Sequence, residues 1–163
     1  MTERHARVAI AALALGLAGA AFAASPVQGR IEAYLVATDA EGAERVEPTR
    51  TAEPGVLMEY RLTFVNTGDS AVSGLQVVDP IPDNTTFVAG SARADVDARF
   101  EVSIDGARSF EREPVTRVET RPDGTQEKVV IPPSQYTHLR WAVEEALPGG
   151  GGEHRYAYRV TVD

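Results

Sequence analysis

The chain has 163 residues, no cysteine and a formal net charge of −8, with 43% hydrophobic residues. The lack of cysteine excludes disulfide frameworks, thiolate nucleophiles, cysteine-ligated zinc and a lipid-acceptor cysteine. A pI near 4.9 means repulsion from phosphate backbones and anionic lipid heads, so neither nucleic acid nor a membrane surface is expected as a partner.

At the N-terminus, Arg4, His5 and Arg7 form a positive region, Val8 to Ala20 is an apolar and small-residue stretch, and Ala21-Phe22-Ala23 is an A-x-A cleavage pattern. This reads as a helical export signal, residues 1–23, cut after Ala23 or Ala24. An uncleaved anchor is the competing reading, since Val8 to Ala24 carries no charge, but it is short for a span and rich in alanine. Removing the signal leaves residues 24–163, the size of one domain, and shifts the charge to −9 by taking away Glu3, Arg4 and Arg7. A periplasmic or secreted location follows, with no stable membrane insertion after cleavage.

From residue 25 onward apolar residues recur at every second position, and Gly, Pro, Asn or Asp interrupt them at short intervals. Ile31, Ala33 and Leu35 alternate with Glu32, Tyr34 and Val36 in a first strand, which Thr38 to Gly42 ends as a turn; Glu44 to Pro48 pairs back. Pro54-Gly55 opens a strand with Met58, Tyr60, Leu62 and Phe64 on one face and Glu59, Arg61 and Thr63 on the other. Asn66 to Asp69 turns it into Val72–Val78, interrupted by Gly74 and stopped by Asp79-Pro80-Ile81-Pro82. Strands follow at Thr85–Val88, Ala92–Val96 and Arg99–Ile104, then a two-residue hairpin at Asp105-Gly106 leading into Ala107–Phe110. Val115–Thr120 and Gln126–Ile131 flank the turn Arg121 to Gly124 as a polar pair projecting from the fold or forming its edge. Thr137, Leu139, Trp141 and Val143 alternate on a penultimate strand. Pro148 to Gly152 is a flexible turn, and Tyr156, Tyr158, Val160 and Val162 alternate on the last. About ten short strands at this spacing predict an all-β antiparallel sandwich, with the only helix in the signal.

Pro54-Gly55, then Tyr60, then Asn66-Thr67-Gly68, followed by a strand into Asp79-Pro80 and by Phe87-Val88-Ala89-Gly90-Ser91, resembles the bacterial conserved-repeat domain family catalogued as domain of unknown function eleven. Leu139-Arg140-Trp141 and Leu147-Pro148-Gly149 match its C-terminal half, so the resemblance covers residues 54–162. It implies an immunoglobulin-like sandwich of exported or surface-attached proteins, and Trp141 resembles the central tryptophan of such cores. The pattern occurs once, and no wall-sorting tail follows, so one free-standing domain is expected rather than a stalk of tandem copies.

Reactive groups are sparse. His138 and His154 have no ligand neighbours at metal-binding spacing and read as exposed histidines. No G-x-S-x-G occurs, and the Gly149–Gly152 run opens no phosphate-binding helix. Asp79, Asp83, Asp95, Asp97 and Asp105 read as solvated acids, because the calcium loop with its mid-loop glycine and closing glutamate is missing. Lys128 reads as an exposed lysine rather than an isopeptide partner. No catalytic, cofactor-binding or metal residues are therefore assigned, and no cofactor is expected.

These observations lead to an exported, non-enzymatic cell-envelope protein whose immunoglobulin-like domain has a structural or protein-interaction role, with an envelope protein or cell-surface component as partner. A carbohydrate-binding module is the alternative if Tyr34, Tyr136 and Phe110 form an exposed row. A small hydrolase is the second alternative if two carboxylates converge in a pocket and one has a raised pKa.

Overall fold

The computed structural model describes Val8–Ala9 and residues 26–163. Its strands are β1 (Val8–Ala9), β2 (Val27–Thr38), β3 (Glu44–Pro48), β4 (Thr51–Ala52), β5 (Leu57–Asn66), β6 (Gln76–Pro80) and β7 (Thr85–Phe87). They continue with β8 (Arg93–Ala94), β9 (Ala98–Ser103), β10 (Thr116–Thr120), β11 (Gln126–Val130), β12 (His138–Val143) and β13 (Gly152–Val162). The expected helical signal and its cleavage point lie outside the described residues except at Val8–Ala9, which pair with β4. Among the described residues the single helical element is the 3₁₀ turn Pro133–Gln135, and no helix is long and apolar enough to cross a membrane.

A six-stranded antiparallel sheet runs β3-β2-β5-β13-β7, with β8 also on β13, and a three-stranded sheet runs β6-β12-β9. The alternation read from the sequence becomes the inner face of each sheet. Met58, Tyr60 and Leu62 from β5, and Tyr156, Tyr158, Val160 and Val162 from β13, meet Val77, Val102, Leu139, Trp141 and Val143 from the smaller sheet in one core. Trp141 lies 5.3 Å from the ring of its β9 neighbour Phe100 and 5.4 Å from Tyr156 of the larger sheet, and the second contact crosses between the sheets. Burying each such side chain stabilises the fold by about 1.5–3 kcal/mol. The all-β sandwich is thus the architecture of the described chain.

Several local expectations change. Ile31 shares the inner face with its register partner Leu62 yet is 49% exposed and stands outside the core cluster, whereas Val36 on the opposite face is buried. The strand expected from Val72 starts at Gln76, with Val72 held only by a bridge to Leu147, and it continues through Asp79 to Pro80. Bonds at Leu75–Val143 and Thr137–Ile81 show that odd-numbered residues of β6 bond to β12. Pro80 therefore sits where an N–H would point away, and its missing donor costs no ladder bond. Asp105-Gly106 makes no two-residue hairpin. Asp105 Oδ1 accepts the Arg108 and Ser109 amides at 3.1 and 2.9 Å, closing a wider loop that leaves only a bridge between Val102 and Glu111.

The glycine run expected as a flexible turn is packed against the β5–β6 connection. Gly151 N–H donates to Asn66 O at 2.8 Å and Gly150 N–H to Gly68 O at 2.7 Å. A Cβ on Gly149 would stand 2.3 Å from the Asp69 carbonyl oxygen, so only glycine admits this approach. At the centre is the fully buried Asn66 side chain, whose amide donates to Ser70 O at 2.8 Å and Leu147 O at 3.2 Å while its oxygen accepts Gly68 N–H at 3.1 Å. The Asn-Thr-Gly motif is therefore a clip joining two loops far apart in sequence.

Candidate functional site

The outward face of the six-stranded sheet carries charged residues in rows set by strand register. Tyr34, Glu59 and Arg159 align across β2, β5 and β13, and Arg61, Ala157 and Arg93 align in the next row. Glu59, on the face of β5 opposite Met58 and Tyr60, is only 2% exposed. Three guanidiniums enclose it: Arg61 Nε at 2.7 Å, Arg93 Nη2 at 2.6 Å and Arg159 Nε at 3.0 Å. Arg159 also reaches Glu44 through both terminal nitrogens, at 2.9 and 2.7 Å. Burial pulls the Glu59 carboxyl upward, but the bonds from Arg61 and Arg159 outweigh it and hold it below its ordinary value. The Glu44 bond drives the Arg159 guanidinium further up.

Beside this network lies a shallow cleft of about 310 Å³, lined by Leu57, Val88 to Ser91, Arg93 and Arg159. Ser91, the one hydroxyl among these lining residues, accepts Arg159 N–H at 3.0 Å. No imidazole lines the cleft to activate it. A second hollow of about 510 Å³ lies at the tip of β10–β11, against Arg121 and Thr125 to Lys128. The outer face of the smaller sheet repeats the charge pattern, with Glu101 taking Arg140 Nε at 2.9 Å and Arg99 Nε at 3.1 Å.

Inside the sandwich, Tyr158 O–H donates to Asp79 Oδ2 at 2.6 Å, and the Tyr60 ring stacks on Tyr158 with centroids 5.3 Å apart. Asp79 reads from the sequence as a solvated acid, yet it is buried, because the strand continues through Asp79 to Pro80 and turns its side chain inward. Burial raises its pKa, partly offset by the Tyr158 bond and the nearby His138. Tyr60 is pushed up to about 12 by burial and by Asp79. The raised carboxyl required of an acid pair is present, but its hydrogen-bond partner is a phenol, and Asp79 lines neither cleft.

The sign of the Asp79 effect is testable. A carboxyl with a raised folded-state pKa contributes most stability below its unfolded value and loses that contribution as pH rises through the folded value. An asparagine side chain in its place keeps an acceptor for Tyr158 and has no charge to bury, so thermal melts should show Asp79→Asn gaining on the parent chain between pH 4 and pH 7. A constant difference across that range would refute the account.

The remaining candidates disperse. Tyr34 is covered by the Arg61 guanidinium at 4.4 Å and Phe110 by Arg140 at 4.2 Å, while Tyr136 is buried, so the three aromatics form no exposed row. Asp83, Asp95 and Asp97 are exposed, and Asp95 accepts the Arg155 amide at 2.8 Å. Among the described residues no group of three His, Asp or Glu side chains stands together in a way that would hold a metal ion. His138 is half-buried, with its Nδ1 3.1 Å from Thr137 Oγ1. His154, read as exposed, is buried: β13 begins at Gly152, so the inward alternation of Tyr156 and Tyr158 extends back to it. The charged network around Glu59 was missed because residue alternation marks a face as outward without saying that neighbouring strands will cover it. The signal available was the matching of Glu44 and Glu59 with Arg61, Arg93 and Arg159 on strands not yet paired.

Comparison of the chain with protein-family models, curated proteins and solved structures finds no match to any of them.

Proposed function

We propose that the chain is an exported, non-enzymatic cell-envelope protein, a single immunoglobulin-like domain with a structural or protein-interaction role. The observation that carries this reading is where the polar chemistry is placed. Asp79 is held by Tyr158, Glu59 and Glu101 are enclosed by arginines, and Ser91 is bonded to backbone. A catalyst aims an acid, base or nucleophile into the space where substrate sits, and here these groups face one another instead. Export rests on the N-terminal charge, apolar stretch and A-x-A pattern; the resemblance of residues 54–162 to the conserved-repeat domains supports a surface context.

Immunoglobulin-like is meant in its architectural sense, two antiparallel sheets over a buried tryptophan. The order differs from that of antibody constant domains, where the last strand lies in the sheet of the penultimate one; here β13 lies beside β5, and β9 lies beside β12.

The test is retention by the immobilised chain of detergent-solubilised envelope proteins and, separately, of cell-wall and outer-surface glycans, with mass spectrometry of what stays bound. One envelope protein retained over a scrambled-loop control is the expected result. Retention of glycan alone would replace this reading with a carbohydrate-binding module, and retention of neither would remove its support.

A further inference from the structure

The β10–β11 ribbon forms its own two-stranded sheet, apart from the two sheets of the sandwich. An isolated pair of strands is marginal in water, and this one leaves Val118 65% exposed and Val130 57% exposed. Their positions in the register put both side chains on one face.

The hydrogen-bond phase shows which edge is open. Ile131 N–H donates to Val115 O at 2.9 Å and Arg121 N–H to Thr125 O at 2.8 Å, so the odd-numbered pairs of this ladder carry its bonds. The N–H and C=O groups of Thr116, Val118 and Thr120 consequently point away from β11. Thr116 O takes a bond from the side chain of Arg117 at 2.9 Å and keeps a second lone pair. Thr116, Val118 and Thr120 are neither proline nor charged, so the only guards on this edge strand are the side chains of Arg117 and Glu119.

We propose that the chain self-associates through the free edge of β10, two copies pairing antiparallel about Val118 to form one continuous sheet in the order β11-β10-β10-β11. The strand is self-complementary in that register. Val118 exchanges both backbone bonds with Val118 of the second copy, and Thr116 does so with Thr120 on either side. On the opposite face Arg117 of each copy stands across from Glu119 of the other.

That charge match answers a local imbalance. Glu119 lies directly opposite Glu127 in the ribbon, a like-charge pairing that destabilises a ladder. Glu127 is neutralised by Arg121 Nε at 2.8 Å, while Glu119 has no ion-pair partner among the described residues. Arg117 of a second copy supplies one while keeping its own contact with Glu111 at 3.0 Å. The register is specified, because a slip of two residues sets Arg117 against Arg117 or Glu119 against Glu119. The β11 edge is disfavoured by comparison, since pairing about its centre brings two Lys128 ammonium groups together.

One strand pair is smaller than a standard interface, so the dimer is weak and fills only at high concentration. It needs no envelope partner and stands or falls apart from the proposed envelope role. Sedimentation equilibrium of the purified chain up to about 1 mM should show reversible dimerisation. Val118→Pro removes an N–H that faces away from β11, so it should leave the melting temperature unchanged and abolish the dimer. Arg117→Glu and Glu119→Arg should each weaken the association at least tenfold, and the double exchange should restore it by re-creating the opposite-charge pairs. A chain that stays monomeric at the top of the range overturns the proposal, as does a dimer indifferent to Val118→Pro. Failure of the double exchange to recover association overturns the register.

Discussion

Asn66→Asp is expected to destabilise the chain by about 3 kcal/mol at pH 7, lowering the melting temperature by roughly 10 °C. The two groups exchange almost the same volume, so packing is not the cause. The Asn66 amide donates to the Ser70 and Leu147 carbonyls from a site with no water contact. A carboxylate there sets negative oxygens against two carbonyl oxygens and leaves both without their donor. Protonating the introduced carboxyl returns one donor, so the loss should shrink toward pH 4. Thermal melts at the two pH values check both parts. A loss below about 1 kcal/mol would mean that the clip does not hold the Leu147–Gly151 loop to the β5–β6 turn.

The second large effect is expected at Glu59. Glu59→Ala should cost about 3 kcal/mol, the lower end of what breaking a buried ion pair costs. The side chains left behind are unequal: Arg61 and Arg93 are 44% and 58% exposed and turn to water, whereas Arg159 is 18% exposed, keeps Glu44 and loses the bond from its Nε. Glu59→Gln retains acceptor geometry without charge and should lose less. Arg61→Ala, which leaves Glu59 two other guanidiniums, should cost no more than about 1 kcal/mol. Chemical denaturation of the three variants measures the ranking. Equal losses for Glu59→Ala and Arg61→Ala would show that Glu59 is no centre of the network.

The core was legible in particular residues. Alternation puts Tyr60, Trp141 and Tyr158 on apolar faces, and those faces form the interior. Alternation works there because a strand with one buried face has no other way to bury its apolar side chains. It fails at Ile31, which shares the face of buried Leu62 in the register yet is 49% exposed. At His154 alternation holds, and the exposed reading fails because the inward register of β13 extends back past Tyr156 to it. The solvated reading of Asp79 fails, and the network around Glu59 goes unread, since a carboxylate in a sequence carries no mark of the phenol or guanidiniums that will enclose it.

The period of the strands, most of their turns and the side chains able to form a core can be read along the chain. Those follow from short-range sterics and from apolar patterning, which act along the chain. That Asn66 meets Leu147 across 81 positions, that Glu59 gathers three arginines and that the β10 edge stays open are outcomes of strand packing. Each depends on which strands lie side by side, and strand order is chosen by the whole core rather than by any local segment.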